Sequence, residues 1–163
     1  MTVRRLFAGS VAAVLGVLGT TSAAGADPTS SHSGGANAVQ TGVVRIDPDN
    51  PQVAYVTGRY SCPAGFAHLF VSVKQVADGR PDTALKLEGS SAISSGWLER
   101  HPGPDEFTCD GTWHTGTWRI TSDSADPQYE YGFGALTRGQ VYVQFCWDGP
   151  SWHAYSEQFA NAR

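Results

Sequence analysis

Positive charge is scarce in this chain: of 163 residues only Lys74 and Lys86 are lysine, and 11 basic residues stand against 15 acidic ones. Arg4 and Arg5 fall in an N-terminal stretch that reads as an export signal. Without them nine basic residues remain, for a net charge of −6 with histidine neutral. Nucleic acids and anionic membranes both reward clustered Lys and Arg, so neither is expected as a partner. Methionine occurs once, and with 19 glycines and nine prolines the composition argues against an all-α bundle. A glycine-rich phosphate loop, a dinucleotide fingerprint and a calcium loop are all missing, so no cofactor is expected. The strained Gly-x-Ser-x-Gly turn of many serine hydrolases is missing too.

What is present begins with the signal. Thr2 to Arg5 supplies a short positive start, Leu6 to Leu18 a mostly apolar stretch, and Ala24-Gly25-Ala26 a small-x-small cleavage pattern. Gly9, Ser10, Gly16 and Gly19 interrupt the apolar stretch, which is short for a retained membrane helix, and no second run of membrane length follows. The expected organisation is a signal peptide over 1–26, a flexible Ser/Gly/Ala-rich leader over 27–41 and a single β domain over 42–163. A secreted, extracellular protein results, in a compartment where neighbouring thiols oxidise.

From Gly42 onward, strand-length segments rich in β-branched and aromatic residues alternate with turn clusters, the first being Asp47-Pro48-Asp49-Asn50-Pro51. Strands are predicted over 42–46, 53–62, 68–76, 83–88, 92–99, 106–109, 116–122, 129–136, 140–147 and 152–159. Side chains two apart share a face. Ala54, Val56, Tyr60 and Cys62 thus form one apolar row, Leu69, Val71 and Val73 a second, and Val141, Val143, Phe145 and Trp147 a third. Phe107 and Cys109 share parity, while Cys146 falls opposite its strand's apolar row with Tyr142 and Gln144. Parity therefore favours a Cys62 to Cys109 disulfide across the core, although a bulge would undo it. Cys146 is left over, as a lone thiol or as one end of a bridge to another chain. The expected fold is an all-β, immunoglobulin-like antiparallel β-sandwich with one intradomain disulfide.

One pattern is echoed. Cys109-Asp110-Gly111-Thr112-Trp113-His114 is matched by Cys146-Trp147-Asp148-Gly149-Pro150-Ser151-Trp152-His153, each running from Cys through Asp-Gly to Trp-His. Asp-Gly favours tight turns, so two similar hairpins are expected. Cys109, His114, Cys146 and His153 have the residue types of a zinc site, but their spacing is unlike paired ligands and Cys109 is claimed by the disulfide; no metal is expected. No catalytic set is recognisable either: Cys146 with His153 imitates a thiol nucleophile and base, but an exported lone thiol is readily oxidised and no orienting residue is evident. Trp113, His114, Trp152 and His153 remain as candidate ligand-binding residues, because rigid aromatic faces beside turns stack on sugars or anchor proteins.

Gly58-Arg59-Tyr60-Ser61-Cys62, Val71-Ser72-Val73-Lys74-Gln75, Cys109-Asp110-Gly111 with Trp118 downstream, and Gly139-Gln140-Val141-Tyr142-Val143 resemble a family of small secreted actinobacterial β-domains of unknown function. The resemblance implies a signal peptide, one β domain and two cysteines paired as Cys62 and Cys109, and implies no activity. Cys146 and the Trp-rich ending depart from it. The reading that results is a secreted, monomeric or weakly associating, non-catalytic binding or envelope-associated module for an extracellular protein or glycan. The alternatives are a carbohydrate-binding module using Trp113 and Trp152 and a small secreted hydrolase using His114 or His153.

Overall fold

The computed structural model describes residues 29–32, 36–40, 42–65, 68–86, 93–122, 132–149 and 153–163. The expected signal peptide lies outside them, as does Trp152. Among the described residues the strands are β1 (Thr29–His32), β2 (Asn37–Gln40), β3 (Arg45–Ile46), β4 (Val53–Ser61), β5 (His68–Gln75), β6 (Gly96–Arg100), β7 (His114–Thr121), β8 (Phe133–Gly134), β9 (Gly139–Asp148) and β10 (His153–Ala162). None of the helical structure described there is long and apolar enough to cross a membrane.

All of these strands belong to one antiparallel sheet, ordered β1-β10-β9-β5-β6-β7-β4-β2, with β3 on β4 and β8 on β6. An immunoglobulin-like sandwich would divide them between two sheets. Here a single sheet curls on itself, and its two ends meet at the segment around Val44. Arg45 and Ile46 pair with Tyr55 and Ala54 of β4. On the other side, Val44 N–H donates to the Asn161 carbonyl (2.8 Å), Arg163 N–H to Val44 (3.0 Å) and Ile46 N–H to Arg163 (2.8 Å). The segment therefore satisfies backbone groups of both flanking strands, which removes the exposed edges an open sheet would present.

Inside the curl, the three predicted apolar rows converge. Ala54, Val56, Tyr60, Leu69, Val71, Val73, Val141, Val143, Phe145 and Trp147 are all buried in one cluster with Trp118 and Ile120 of β7. The predicted leader differs from expectation. Residues 29–32 pair with β10 and 37–40 with β4. Ala36 and Ala38 are buried in the cluster, and Ala38 N–H donates to Ser156 Oγ (3.1 Å). This stretch looked too weakly apolar to order by itself, but the strands it pairs with supply the backbone partners that order it.

Other expectations also shift. The segment predicted as a strand over 83–88 contains a 3₁₀ turn, Thr83–Lys86, that buries Leu85. Residues 106–109 form a bend and irregular backbone, not a strand. The first Asp-Gly turn therefore leads from a loop into β7, whose long partner is β4. The second echo does form a hairpin, β9 to β10. Asp47 closes the first predicted turn by accepting the N–H groups of Asp49 (3.0 Å) and Asn50 (3.1 Å).

The Cys62–Cys109 disulfide is present with a sequence separation of 47. It joins the exit of β4 to the loop entering β7, its neighbour in the same sheet, and so ties adjacent strands where a bridge across the core was expected. Gly111 N–H donates to the Cys62 carbonyl (2.9 Å) beside it, and Gly111 takes a positive φ of 83° that suits a residue without Cβ. Replacing both cysteines by alanine should cost about 3–5 kcal/mol, the entropy of a denatured loop of this length. Urea unfolding of the wild type with and without reductant, beside the double variant, measures it.

Candidate functional site

Antiparallel pairing brings both echo motifs to one end of the curled sheet. β4 ends there, β7 begins there at His114, and the β9–β10 hairpin turns there, with Asp148 paired to both His153 and His68. Each echo supplies an aspartate and the histidine that opens the next strand. His114 Nε2 lies 2.9 Å from Asp110 Oδ1, and His153 Nδ1 is hydrogen-bonded to Asp148 Oδ1. Asp110 Oδ1 also accepts from Thr112 N–H (2.8 Å) and Thr112 Oγ1 (2.8 Å). The imidazole and these donors hold the Asp110 carboxyl down at about 2.

At Asp110 and His114 this geometry braces a turn and lacks the two-sided arrangement of a relay. In a nucleophile–histidine–acid relay the nucleophile and the acid occupy different ring nitrogens, so that a proton taken at one is balanced at the other. Thr112 Oγ1 lies 3.2 Å from His114 Nε2, the same nitrogen that meets Asp110. For metal binding the proposed sulfur ligand Cys109 is consumed by the disulfide, and among the described residues no group of three or more His, Cys, Asp or Glu side chains converges. Cys146 takes no part in a disulfide and is half-buried, opposite Phe70 and Tyr155 in the sheet.

The braced turn presents Trp113. It is 50% exposed, whereas Trp97, Trp118 and Trp147 are buried. The Arg59 guanidinium lies 5.3 Å from its ring centroid, an arrangement that fixes the indole while leaving half of it in solvent. Trp113 has the outward parity of β7 and continues a strip over the outer face of β4 and β7. Along it lie Arg59 and Thr115, then Thr57 and Thr117, then Tyr55 and Arg119, all paired by register. Thr57 and Thr117 hydroxyls share a hydrogen bond of 2.8 Å, and Arg45 stacks on Tyr55 at 4.7 Å. A shallow concavity of about 440 Å³, lined by Gly42, Val43, Arg45, Tyr55, Thr57 and Thr117, ends the strip opposite Trp113.

A second polar group sits on the outer face of β5, β6 and β9. Lys74, Ser72, Glu99 and Tyr142 lie there, and all are buried. Lys74 Nζ stands 4.3 Å from the Trp97 ring centroid. Burial pushes the Glu99 carboxyl up to about 7, and the Trp97 indole and the Lys74 ammonium offset only part of that. Period-two alternation puts Ser72 and Lys74 opposite Leu69, Val71 and Val73, but alternation alone carries no sign that this face is covered. The burial of Trp97 and Tyr142, both opposite Lys74 in the sheet and outside the main core cluster, shows that it is.

The chain matches no family model, no curated protein and no solved structure. The resemblance to small secreted β-domains rests on its short motifs alone.

Because the folded state raises the Glu99 pKa above its unfolded value near 4.5, protonation favours folding. Stability is expected to fall as pH rises from about 4.5 to about 7, by roughly 3 kcal/mol at most. Urea unfolding at a series of pH values should show this slope in the wild type and lose most of it in Glu99→Gln.

Proposed function

We propose that the chain is an exported, non-catalytic binding module that takes a glycan through the Trp113 end of the β4–β7 strip. The supporting observation is Trp113 itself, a large apolar ring held in water by an arginine and by a disulfide-anchored turn. Exposed large apolar side chains are few here, with Ile93 and Phe133 the others among the described residues, and keeping one rigid gains nothing for folding. The axial C–H face of a pyranose is the complement of such a ring, because it is flat, weakly apolar and surrounded by hydroxyls that threonines and arginines satisfy. A preorganised aromatic also binds at low entropic cost. Export is supported by the N-terminal residue pattern and is compatible with the disulfide. The hydrolase reading loses ground because the acid and the hydroxyl meet the same nitrogen of His114.

On a glycan array, Trp113→Ala should lower the signal at least about tenfold, the equivalent of about 1.4 kcal/mol for one lost stacking contact. Its melting temperature should stay at the wild-type value, since half of this ring is already in solvent. Trp152→Ala on the same array reads the contribution of the second echo. A blank array, or an array indifferent to Trp113→Ala, overturns the proposal.

A further inference from the structure

The geometry points to a linear polysaccharide bearing carboxylates as the ligand, laid along the β4–β7 strip from Trp113 to the Arg45–Tyr55 concavity. This rests on the binding-module reading and narrows its ligand. Beyond residue 26 the chain has seven arginines and two lysines. Three of those arginines, Arg45, Arg59 and Arg119, stand on this one strip, and all three are exposed. None of them forms an ion pair among the described residues, although Arg80 and Arg100 both do, with Asp78 and Glu106. In a protein of net negative charge, three exposed guanidiniums without a carboxylate partner among the described residues make one face locally positive. An anionic ligand is the complement of such a face.

Position refines the chemistry. Arg119 is paired with Tyr55, and Arg59 lies four residues further along β4, a separation of about 13 Å at the rise of an extended strand. From Arg45, paired with Tyr55, to Trp113, just before the Tyr60–His114 pair, the strip runs about 20 Å. That length accommodates several sugar rings in a row but far exceeds one monosaccharide. Its surface alternates the two features an acidic sugar chain offers. Tyr55 and Trp113 suit ring faces, and the guanidiniums suit carboxylates, whose two oxygens match the planar arginine fork. The Thr57, Thr115 and Thr117 side chains between them suit hydroxyls. Among the described residues of β4 and β7, none between Trp113 and Arg119 on the strip is a carboxylate. At its ends stand Asp110 tied to His114, Asp47 accepting from the Tyr55 hydroxyl (3.4 Å), and buried Glu99 paired with Thr121.

The test measures binding of the full exported chain to polygalacturonate, dextran sulfate and neutral dextran by biolayer interferometry. Polygalacturonate should bind, and raising NaCl from ~50 mM to ~0.5 M should weaken it severalfold. Arg59→Gln and Arg119→Gln should each weaken it about tenfold. Both side chains are exposed, so the variants should melt with the wild type. Preference for neutral dextran, or binding indifferent to both arginine substitutions, overturns the acidic ligand while Trp113-dependent binding keeps the module reading alive. Dextran sulfate bound in place of polygalacturonate overturns the carboxylate assignment. Failure of every polysaccharide here, together with a blank glycan array, overturns both readings.

Discussion

The seam around Val44 is the constraint on which the architecture depends. A sheet with an apolar inner face must either meet a second layer or close on itself, and this one closes. Its closing piece hydrogen-bonds β4 on one side and the end of β10 on the other. Residues 37–40 and 29–32 occupy the same seam further along, each on one of the two strands to be joined. The N-terminal stretch is therefore a structural part of the sheet. Its Ala36 and Ala38 are buried in the core cluster there.

Closure also decides which strands look outward into water and which are covered. On β4 and β7 the outer face is open, and it carries threonines, arginines and the stacked Tyr55. On β5, β6 and β9 it is covered, and polar residues there are enclosed with Trp97 and Tyr142. The two outer faces differ in their electrostatics for that reason. Solvent screens the arginines of the open face and leaves them available to a ligand. Enclosure raises the cost of charge at Glu99 and makes the covered face sensitive to protonation.

The disulfide and the two Asp–His pairs act at the opposite end from the Val44 contacts. Cys62 and Cys109 hold the exit of β4 against the entrance of β7, and the Gly111 N–H bond to Cys62 fixes the turn that follows. Asp110 then orients His114 and leaves Trp113, one residue before it, facing outward. Rigidity at this rim and openness along the strip are two results of the same strand pairing, since β4 and β7 supply both.

Much of the core was legible in the residues themselves. Alternation placed Ala54, Val56, Tyr60, Cys62, Leu69, Val71, Val73, Val141, Val143, Phe145 and Trp147 inside, because the face of a side chain in a strand is a local property of period two. The Cys62–Cys109 pair is the expected one, but Cys109 stands in a loop where strand parity has no meaning, so the expected path of the bridge across the core was wrong. Of the two hairpins expected from the Asp-Gly echoes, only β9–β10 is one; the first Asp-Gly leads from a loop into β7, because which strand β7 pairs with is not a local property. Whether strands form one curled sheet or two stacked ones depends on hydrogen bonds between residues more than a hundred positions apart, such as Val44 and Asn161, and no local pattern encodes them. For the same reason only the tertiary structure could bring Arg45, Arg59 and Arg119 onto one face, shelter Glu99, and turn a weakly apolar leader into the closing strands of the sheet.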